Sequence, residues 1–222
     1  MRWPFSARAM PGPDRPEEAA PPRAVVFDVG GVLLDWDPRY LYRKLFTDAG
    51  AMEWFLAHIG TPAWHVQHDR GVSIALSCET LSRQHPAFER EIRAWAERGE
   101  EMVRGEIPEV ADILAALDRN GVPCYALTNM ERETYPKRRA RFGFFTHFTG
   151  VMVSGEEGIV KPDPALFNRL LARYRLDASR TLFIDDSGTN VETARHLGFV
   201  THRFEGADGL RQTLTHMGLL TF

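Results

Sequence analysis

Residues 24–38 read AVVFDVGGVLLDWDP, and this stretch decides the fold. Its first four residues are too few and too rich in β-branched side chains for a helix, and an unbroken apolar run is typical of a strand buried on both faces. Asp28 follows this run directly, and Gly30 and Gly31 come after one intervening residue, Val29. A carboxylate at the end of a buried strand is costly without partners, so Asp28 is a candidate for chemistry.

The rest of the chain alternates short apolar runs with helical patterns. The runs are PCYAL (123–127), GVMV (150–153), TLFI (181–184) and FVTHRF (199–204). Between them, one helix is expected from near Pro108 to Gly121, and another has Asp163 as its N-cap and Pro164 in its first turn. Strands and helices in alternation predict the α/β class, with a parallel sheet covered on both faces.

The pattern of helices and strands divides the chain into three predicted segments. Residues 39–104 carry helical spacing almost throughout and no convincing strand, so they are predicted to form a helical cap. The α/β core would then comprise residues 24–38 and 105–222. Ligands of open α/β sheets bind at the carboxyl ends of the strands, where such an insert would cover them. Residues 1–23 hold six prolines and mixed charge, which predicts a disordered tail.

Composition excludes several classes of partner. The 222 residues are 44% hydrophobic and 26% charged, with a net charge of -3, which is typical of a soluble globular protein and gives no basic face for nucleic acid. No apolar stretch approaches the roughly 18 residues of a membrane span. Cys78 and Cys124 lack metal-type spacing. A cytoplasmic protein is expected, and its oligomeric state stays open.

Polar side chains stand at the predicted carboxyl ends of the strands, which a parallel sheet brings to one edge. Three carboxylates, one ammonium, one hydroxyl and one amide in such a place are typical of a metal-assisted phosphate site. Mg²⁺ prefers oxygen ligands, the ammonium can neutralise charge, and the hydroxyl and amide can donate to phosphate oxygens. The residues at strand ends are Asp28, Thr128, Asn129, Asp185 and Asp186, and Lys161 lies in the loop GIVKPDP between the third and fourth strands.

Four motifs in this order resemble those of the haloacid dehalogenase superfamily of hydrolases, and the likeness extends from Ala24 to the C-terminus. They are VVFDVGGVL, ALTN, KPDP and FIDDSGTNVETA. The resemblance implies a Rossmann-like, five-stranded parallel core in the order 5-4-1-2-3, with a helical cap inserted after the first motif. FDVGGVL...WDP and HVQHDRG are also similar to a bacterial branch that includes glucose-1-phosphate phosphatases.

The resemblance implies a role for each motif residue. Asp28 would be the nucleophile that forms an aspartyl phosphate, and Lys161 would contact both Asp28 and the phosphate. Thr128, with the region of Asn129, would bind the transferring phosphoryl group. The Mg²⁺ ligands would be Asp28, the Gly30 carbonyl and Asp186, with Asp185 either a second direct ligand or one that acts through water.

Gly30 departs from the family pattern. Most phosphatases of the superfamily carry a second Asp there, which protonates the leaving oxygen and then activates water. Glycine keeps the carbonyl for the metal but supplies no proton, a loss worth about 10² to 10⁴-fold in rate. His65, His68 and Asp69 in WHVQHDRG are candidate replacements from the cap, unless they belong to a solvated turn.

The function predicted from these residues is a Mg²⁺-dependent phosphatase that acts on a small phosphorylated metabolite, with a sugar phosphate as one candidate. A 2-haloacid dehalogenase is an alternative, because a halide leaves without a proton, although the retained Asp185 and Asp186 count against it. A non-catalytic sensor of a phosphorylated ligand is a second alternative. The sequence leaves the substrate open, because cap side chains select it.

Overall fold

A five-stranded parallel sheet is the centre of the computed structural model, which describes residues 21–220. Its order is β5-β4-β1-β6-β7, and β2 and β3 form a separate antiparallel pair. Counted alone in chain order, the five strands run 3-2-1-4-5, which is the predicted order viewed from the opposite edge. The strands of the described chain are β1 (Ala24–Phe27), β2 (Leu34–Trp36), β3 (Val103–Glu106), β4 (Cys124–Thr128), β5 (Gly150–Val153), β6 (Thr181–Asp185) and β7 (Val200–Arg203).

The first strand occupies the middle of the sheet because all four of its side chains are apolar and can be buried on both sides. Val25 and Phe27 face one hydrophobic cluster, and Ala24 and Val26 face the other. The alternation follows from the two-residue period of a strand. The α/β class predicted from the unbroken apolar run is confirmed, and Asp28 is thereby placed at the carboxyl edge of the central strand.

Eleven helices accompany the strands within residues 21–220. They are α1 (Arg39–Tyr42), α2 (Ala49–His58), α3 (Pro62–Asp69), α4 (Ile74–Gln84), α5 (Glu89–Arg98), α6 (Pro108–Arg119), α7 (Tyr135–Arg141), α8 (Ser154–Glu157), α9 (Pro164–Tyr174), α10 (Gly188–His196) and α11 (Ala207–His216). Short 3₁₀ turns occupy Pro86–Phe88, Gly99–Met102, Gly143–His147 and Ala178–Arg180. As predicted, Pro108 starts α6, and the Asp163 side chain caps α9 by accepting the Ala165 N–H at 2.9 Å.

The helices α1 to α5 follow β2 and precede β3 in the chain, and they have a hydrophobic cluster of their own, so we call this helical segment the cap. Tyr42, Phe55, Ile92 and Trp95 are at its centre. Residues 39–104 were expected to hold no strand, and this is wrong at the end of the segment, because β3 begins at Val103 and pairs with β2. A strand with a single apolar side chain is formed by its distant partner and leaves no periodic signal in the sequence.

The predicted tail, residues 1–23, lies outside the described residues except for its last three positions. Within residues 21–220, no helix combines the length and the apolar character that crossing a membrane requires.

Candidate functional site

A cleft of about 370 Å³ opens at the carboxyl edge of the main sheet. Asp28 comes directly after β1, and its main-chain N–H continues the sheet by donating to the Ile184 carbonyl at 2.8 Å. Thr128 ends β4, and Asp185 ends β6. The topology therefore gathers the predicted residues at one edge, as parallel strands require.

Lys161 lies between two carboxylates at this edge. Its Nζ is 2.8 Å from Asp28 Oδ1 and 2.7 Å from Asp185 Oδ2, and its side chain is almost fully buried. Burial alone would lower the pKa of Lys161, but the two carboxylates outweigh it and raise the pKa. Lys161 is therefore a fixed positive charge.

Asp28 presents one oxygen to the protein and the other to the cleft. Oδ1 accepts the Val29 N–H at 2.7 Å and contacts Lys161, while Oδ2 has no hydrogen-bond donor among residues 21–220. Burial raises the pKa of Asp28, Asp185 adds to this effect, and Lys161 opposes it. A free and poorly solvated carboxylate oxygen is suited to act as a nucleophile or a metal ligand.

The two adjacent carboxylates of the fourth motif differ in surroundings. Asp185 is fully buried and accepts bonds from Lys161, the Ser187 N–H and the Asn190 amide, which donates to both oxygens at 3.0 and 3.1 Å. Asp186 is exposed to the cleft, but protein atoms partly surround its carboxyl, and this partial desolvation together with the charge of Asp185 raises its pKa. Asp185 therefore orients Lys161, and Asp186 keeps its oxygens for a ligand.

These carboxylates fit a divalent cation. Ligand oxygens of Asp28, Asp185 and Asp186 lie within 4.8 Å of one another. Against the single ammonium of Lys161, three carboxylates leave two net negative charges when all are ionised, which a dication would balance. Their oxygen chemistry suits Mg²⁺. We call Asp28, Lys161, Asp185 and Asp186 the core cluster.

Thr128 and Asn129 lie at the carboxyl end of β4, where Thr128 is the last residue of the strand and Asn129 comes directly after it. Thr128 is fully buried, and its hydroxyl is only 3.5 Å from the nearest main-chain acceptor, the Asn129 carbonyl. The Asn129 amide bonds the main chain of Lys161 at both ends, accepting from its N–H at 2.8 Å and donating to its carbonyl at 3.0 Å. The sequence did not predict these two hydrogen bonds. Through them, Asn129 holds the loop that carries Lys161 in place.

The two glycines after Asp28 meet different constraints. Gly31 has φ +75°, and a Cβ there would come 2.5 Å from Asp186 Oδ2. A Cβ on Gly30 would have no described atom within 4 Å, and its φ lies outside the left-handed region. Glycine is therefore favoured at position 31 by its left-handed φ, and a Cβ there would also displace the Asp186 carboxylate, whereas position 30 has room for a side chain that the sequence lacks.

A second group of charged side chains lines the same cleft from the cap side. His65 and Asp69 come from α3, and they meet Glu131 and Arg138 from the segment after β4. His65 Nε2 is 3.4 Å from Glu131 Oε1 and 3.8 Å from Asp69 Oδ1. Arg138 Nη1 is 3.9 Å from Glu131 Oε2. We call these four residues the junction cluster.

Sequence reasoning named His65 and Asp69 but missed Glu131 and Arg138. Glu131 lies two residues after Asn129, so its nearness to a motif was a usable signal. His68, the third cap candidate, is not among the described residues that line the cleft. It is fully buried beside Trp64 and Trp95, its ring nitrogens have no hydrogen-bond partner in residues 21–220, and burial lowers its pKa to about 4.

The main chain of the cap is fastened to the core beside the junction cluster. The buried Ser154 hydroxyl donates to the Asp69 carbonyl at 2.7 Å and accepts the Met130 N–H at 3.0 Å. Close by, a Cβ on Gly71 would come 2.7 Å from the Gly155 carbonyl oxygen. These contacts fix the end of α3 against the loops of the main sheet.

Known proteins are similar to this chain in sequence. The family model of haloacid dehalogenase-like hydrolases matches residues 22–198. A sesquiterpene phosphatase of Aspergillus oryzae is 28% identical over 179 residues, which cover 80% of this chain and 87% of that protein. A phosphoglycolate phosphatase of Yersinia pseudotuberculosis is 27% identical over 194 residues, covering 79% and 78% of the two chains.

The fold is also found in solved structures. One is a family enzyme from Bacteroides thetaiotaomicron in complex with magnesium and inorganic phosphate, which superposes with a TM-score of 0.62 at 22% identity. The match covers 82% of this chain and 93% of that one. At this identity the likeness concerns the fold.

Proposed function

Because the chain belongs to the haloacid dehalogenase-like hydrolases, we propose that it is a Mg²⁺-dependent phosphatase that acts on a small phosphomonoester through an aspartyl-phosphate intermediate. The observation that carries this proposal is the core cluster, with its free Asp28 oxygen, its clamped lysine and its unbalanced carboxylates. Two relatives that match most of the chain are phosphatases of different phosphorylated molecules, which supports the reaction and leaves the substrate open.

In the proposed reaction, Asp28 Oδ2 attacks phosphorus, because Oδ1 is already held by Val29 and Lys161. Lys161 offsets the charge that carboxylate and phosphoryl oxygens bring together, and Asp185 keeps its ammonium in place. Thr128 donates its hydroxyl to a phosphoryl oxygen, and Asn129 maintains the loop that carries Lys161.

Asp28, the carbonyl of Gly30 and Asp186 would hold Mg²⁺, and Asp185 would support the site from behind. When bound, the ion supplies positive charge that balances the phosphate and the carboxylates. Because Gly31 has no side chain, Asp186 can approach the main chain of the first motif closely.

Phosphate release from a panel of phosphomonoesters, measured with Mg²⁺ and with EDTA, tests the proposal. The panel includes sugar phosphates, phosphoglycolate, a prenyl phosphate and p-nitrophenyl phosphate. We expect turnover that needs the metal and disappears in Asp28→Asn, while Asp208→Asn, an exposed carboxylate at the start of α11, keeps the wild-type rate.

Other outcomes would favour the alternatives. Chloride release from 2-chloropropionate in EDTA would indicate a dehalogenase. Binding of phosphorylated compounds without turnover of any of them would indicate a sensor. Phosphatase activity that persists in Asp28→Asn would remove the nucleophile from the proposal.

A further inference from the structure

The proposed function leaves one proton unassigned. When the bond between phosphorus and the leaving oxygen breaks, an alkoxide needs a proton, and the water that later attacks the aspartyl phosphate must lose one. Gly30 has no side chain that could donate the first proton or accept the second. The inference below rests on the proposed function and concerns the group that replaces this acid.

His65 is held in one orientation at the wall of the cleft that also contains Asp28. Its ring stacks on Trp36 with centroids 5.1 Å apart and an interplanar angle of 17°, and the Trp95 ring lies 4.9 Å away on a tilt. About a fifth of the side chain remains exposed. Because two indoles already fix the orientation of this imidazole, which remains exposed to the cleft, little entropy is lost when it contacts a substrate atom.

Two carboxylates sit behind Nε2 of this imidazole. Glu131 Oε1 is 3.4 Å away, and its other oxygen accepts the Thr134 hydroxyl at 2.8 Å, which fixes the carboxylate. Asp69 Oδ1 is 3.8 Å away, buried, and without a hydrogen-bond partner in residues 21–220. A buried acceptor left unpaired beside an imidazole points to a proton that moves within this group.

The charges around His65 favour its protonated form. Burial by itself would lower the pKa of His65, but Glu131 and Asp69 outweigh it and raise the pKa, with Arg138 opposing them. His68 also faces this ring, and burial together with His65 lowers its own pKa, so it adds no charge at neutral pH. Glu131 stays ionised, because His65 and Arg138 outweigh its burial and lower its pKa. Burial raises the pKa of Asp69 to about 7 against the charges of His65 and Arg138, so Glu131 is the constant counter-charge of the imidazolium.

We propose that His65 is the proton donor to the leaving oxygen, and that Glu131 and Asp69 are positioning residues that hold its charge. As Asp28 Oδ2 bonds to phosphorus, the leaving oxygen takes the proton of the imidazolium together with the electron pair of the broken P–O bond. The neutral imidazole then accepts a proton from the water that attacks the aspartyl phosphate. Asp28 and inorganic phosphate are released, and the imidazolium is restored.

The test compares leaving groups that need a proton with one that does not. His65→Gln keeps the approximate size of the side chain and removes the titrating proton. We expect kcat/KM for the alkyl phosphate that is turned over fastest to fall by about 10² to 10⁴-fold. For p-nitrophenyl phosphate, whose leaving group departs as a stable anion, we expect a change of no more than a few fold.

The pH profile and a rescue variant separate catalysis from structure. In the wild type, kcat/KM for the alkyl phosphate should fall as the pH rises through the pKa of His65, because the imidazolium is lost. Glu131→Gln should move this fall to lower pH, and His65→Gln should remove it. Gly30→Asp, added to His65→Gln, should restore part of the rate, because a side chain at position 30 has room at its Cβ.

Three results would overturn the inference. The first is an equal loss on alkyl and aryl phosphates in His65→Gln, and the second is a profile that is unchanged in that variant. The third is a wild-type enzyme that turns over p-nitrophenyl phosphate but no alkyl phosphate. Failure of the proposed function looks different, since the wild type would then turn over no phosphomonoester, or Asp28→Asn would remain active.

Discussion

The core cluster and the junction cluster both contribute side chains to one cleft, yet their charges are arranged differently. In the core cluster the cation is a lysine whose pKa is raised, and three carboxylates outnumber it. In the junction cluster two carboxylates meet a guanidinium and an imidazole, so the charges balance when His65 is protonated and both carboxylates are ionised. The first arrangement suits an added cation and the second suits a mobile proton.

This difference shows how a cleft can divide catalytic work between two segments of the chain. The carboxylates of the core cluster stand at strand ends, whose positions the sheet fixes, and Lys161 comes from a loop that Asn129 holds against them. The junction cluster combines residues of α3 with residues that follow β4, so it exists only where the cap meets the core. Stabilisation of the phosphoryl charge, which every substrate needs, is expected at the strand ends of the sheet. Proton transfer to the leaving group, which differs between substrates, is expected beside the cap.

The largest expected effect comes from removing the fixed charge. Lys161→Gln leaves Asp28 and Asp185 facing each other without their cation, so we expect kcat to fall by about 10² to 10³-fold or more, on aryl and alkyl phosphates alike. Steady-state phosphate release measures this. Lys137→Gln, an exposed lysine of α7, is the matched control and should keep the wild-type rate. A loss confined to alkyl phosphates would contradict the division of work.

The next effect concerns the contact that places the junction cluster. Ser154→Ala removes the hydroxyl that bonds Asp69 and Met130, which leaves a buried N–H and a buried carbonyl without it. We expect the free energy of unfolding to fall by about 1 to 3 kcal/mol, measured by urea denaturation. The rate on alkyl phosphates should fall more than the rate on p-nitrophenyl phosphate, because the bond that fixes the end of α3, which carries Asp69 and His65, is lost.

Ser82→Ala is the matched control for this variant. Ser82 is also buried, but its hydroxyl has no hydrogen-bond partner among the described residues, so its removal should not destabilise the protein. Equal losses in the two variants would mean that burial of a serine, rather than the bond to Asp69, determines the stability.

The smallest expected effect separates the two glycines. Gly31→Ala places a Cβ on a residue with φ +75° and against Asp186, so we expect a loss of about 1 to 2 kcal/mol and a weaker stabilisation by Mg²⁺. Gly30→Ala should change stability by less than about 0.5 kcal/mol. Thermal denaturation with and without Mg²⁺ measures both. A Gly31→Ala protein that Mg²⁺ stabilises normally would argue against Asp186 as a ligand.

The central part of the fold could be predicted because local signals agreed with the tertiary structure. The apolar run 24–27 is β1 to the residue, and 150–153 is β5. Pro108 and Asp163 mark the starts of their helices, since a proline in the first turn and an aspartate cap act within a few residues. The carboxylates of the core cluster were predicted because each directly follows, or ends, an apolar run that marks a strand.

The parts that were missed depend on contacts between distant segments. β3 exists because it pairs with β2, and the junction cluster exists because α3 meets the segment after β4. Neither meeting leaves a periodic pattern. The contrast between Gly30 and Gly31 was equally hidden, since it depends on where the Asp186 carboxylate lies.

The bond from Ser154 to the Asp69 carbonyl has a consequence for how such a protein diversifies. The cap is fastened here through main-chain atoms on its own side, and the approach of Gly71 to Gly155 is again a main-chain contact. Cap side chains such as Arg39, Glu53 and Leu56, which line a neighbouring cavity of about 380 Å³, take no part in this fastening. We expect mutation to alter them, and with them the range of accepted molecules, while the hydrolytic machinery stays in register.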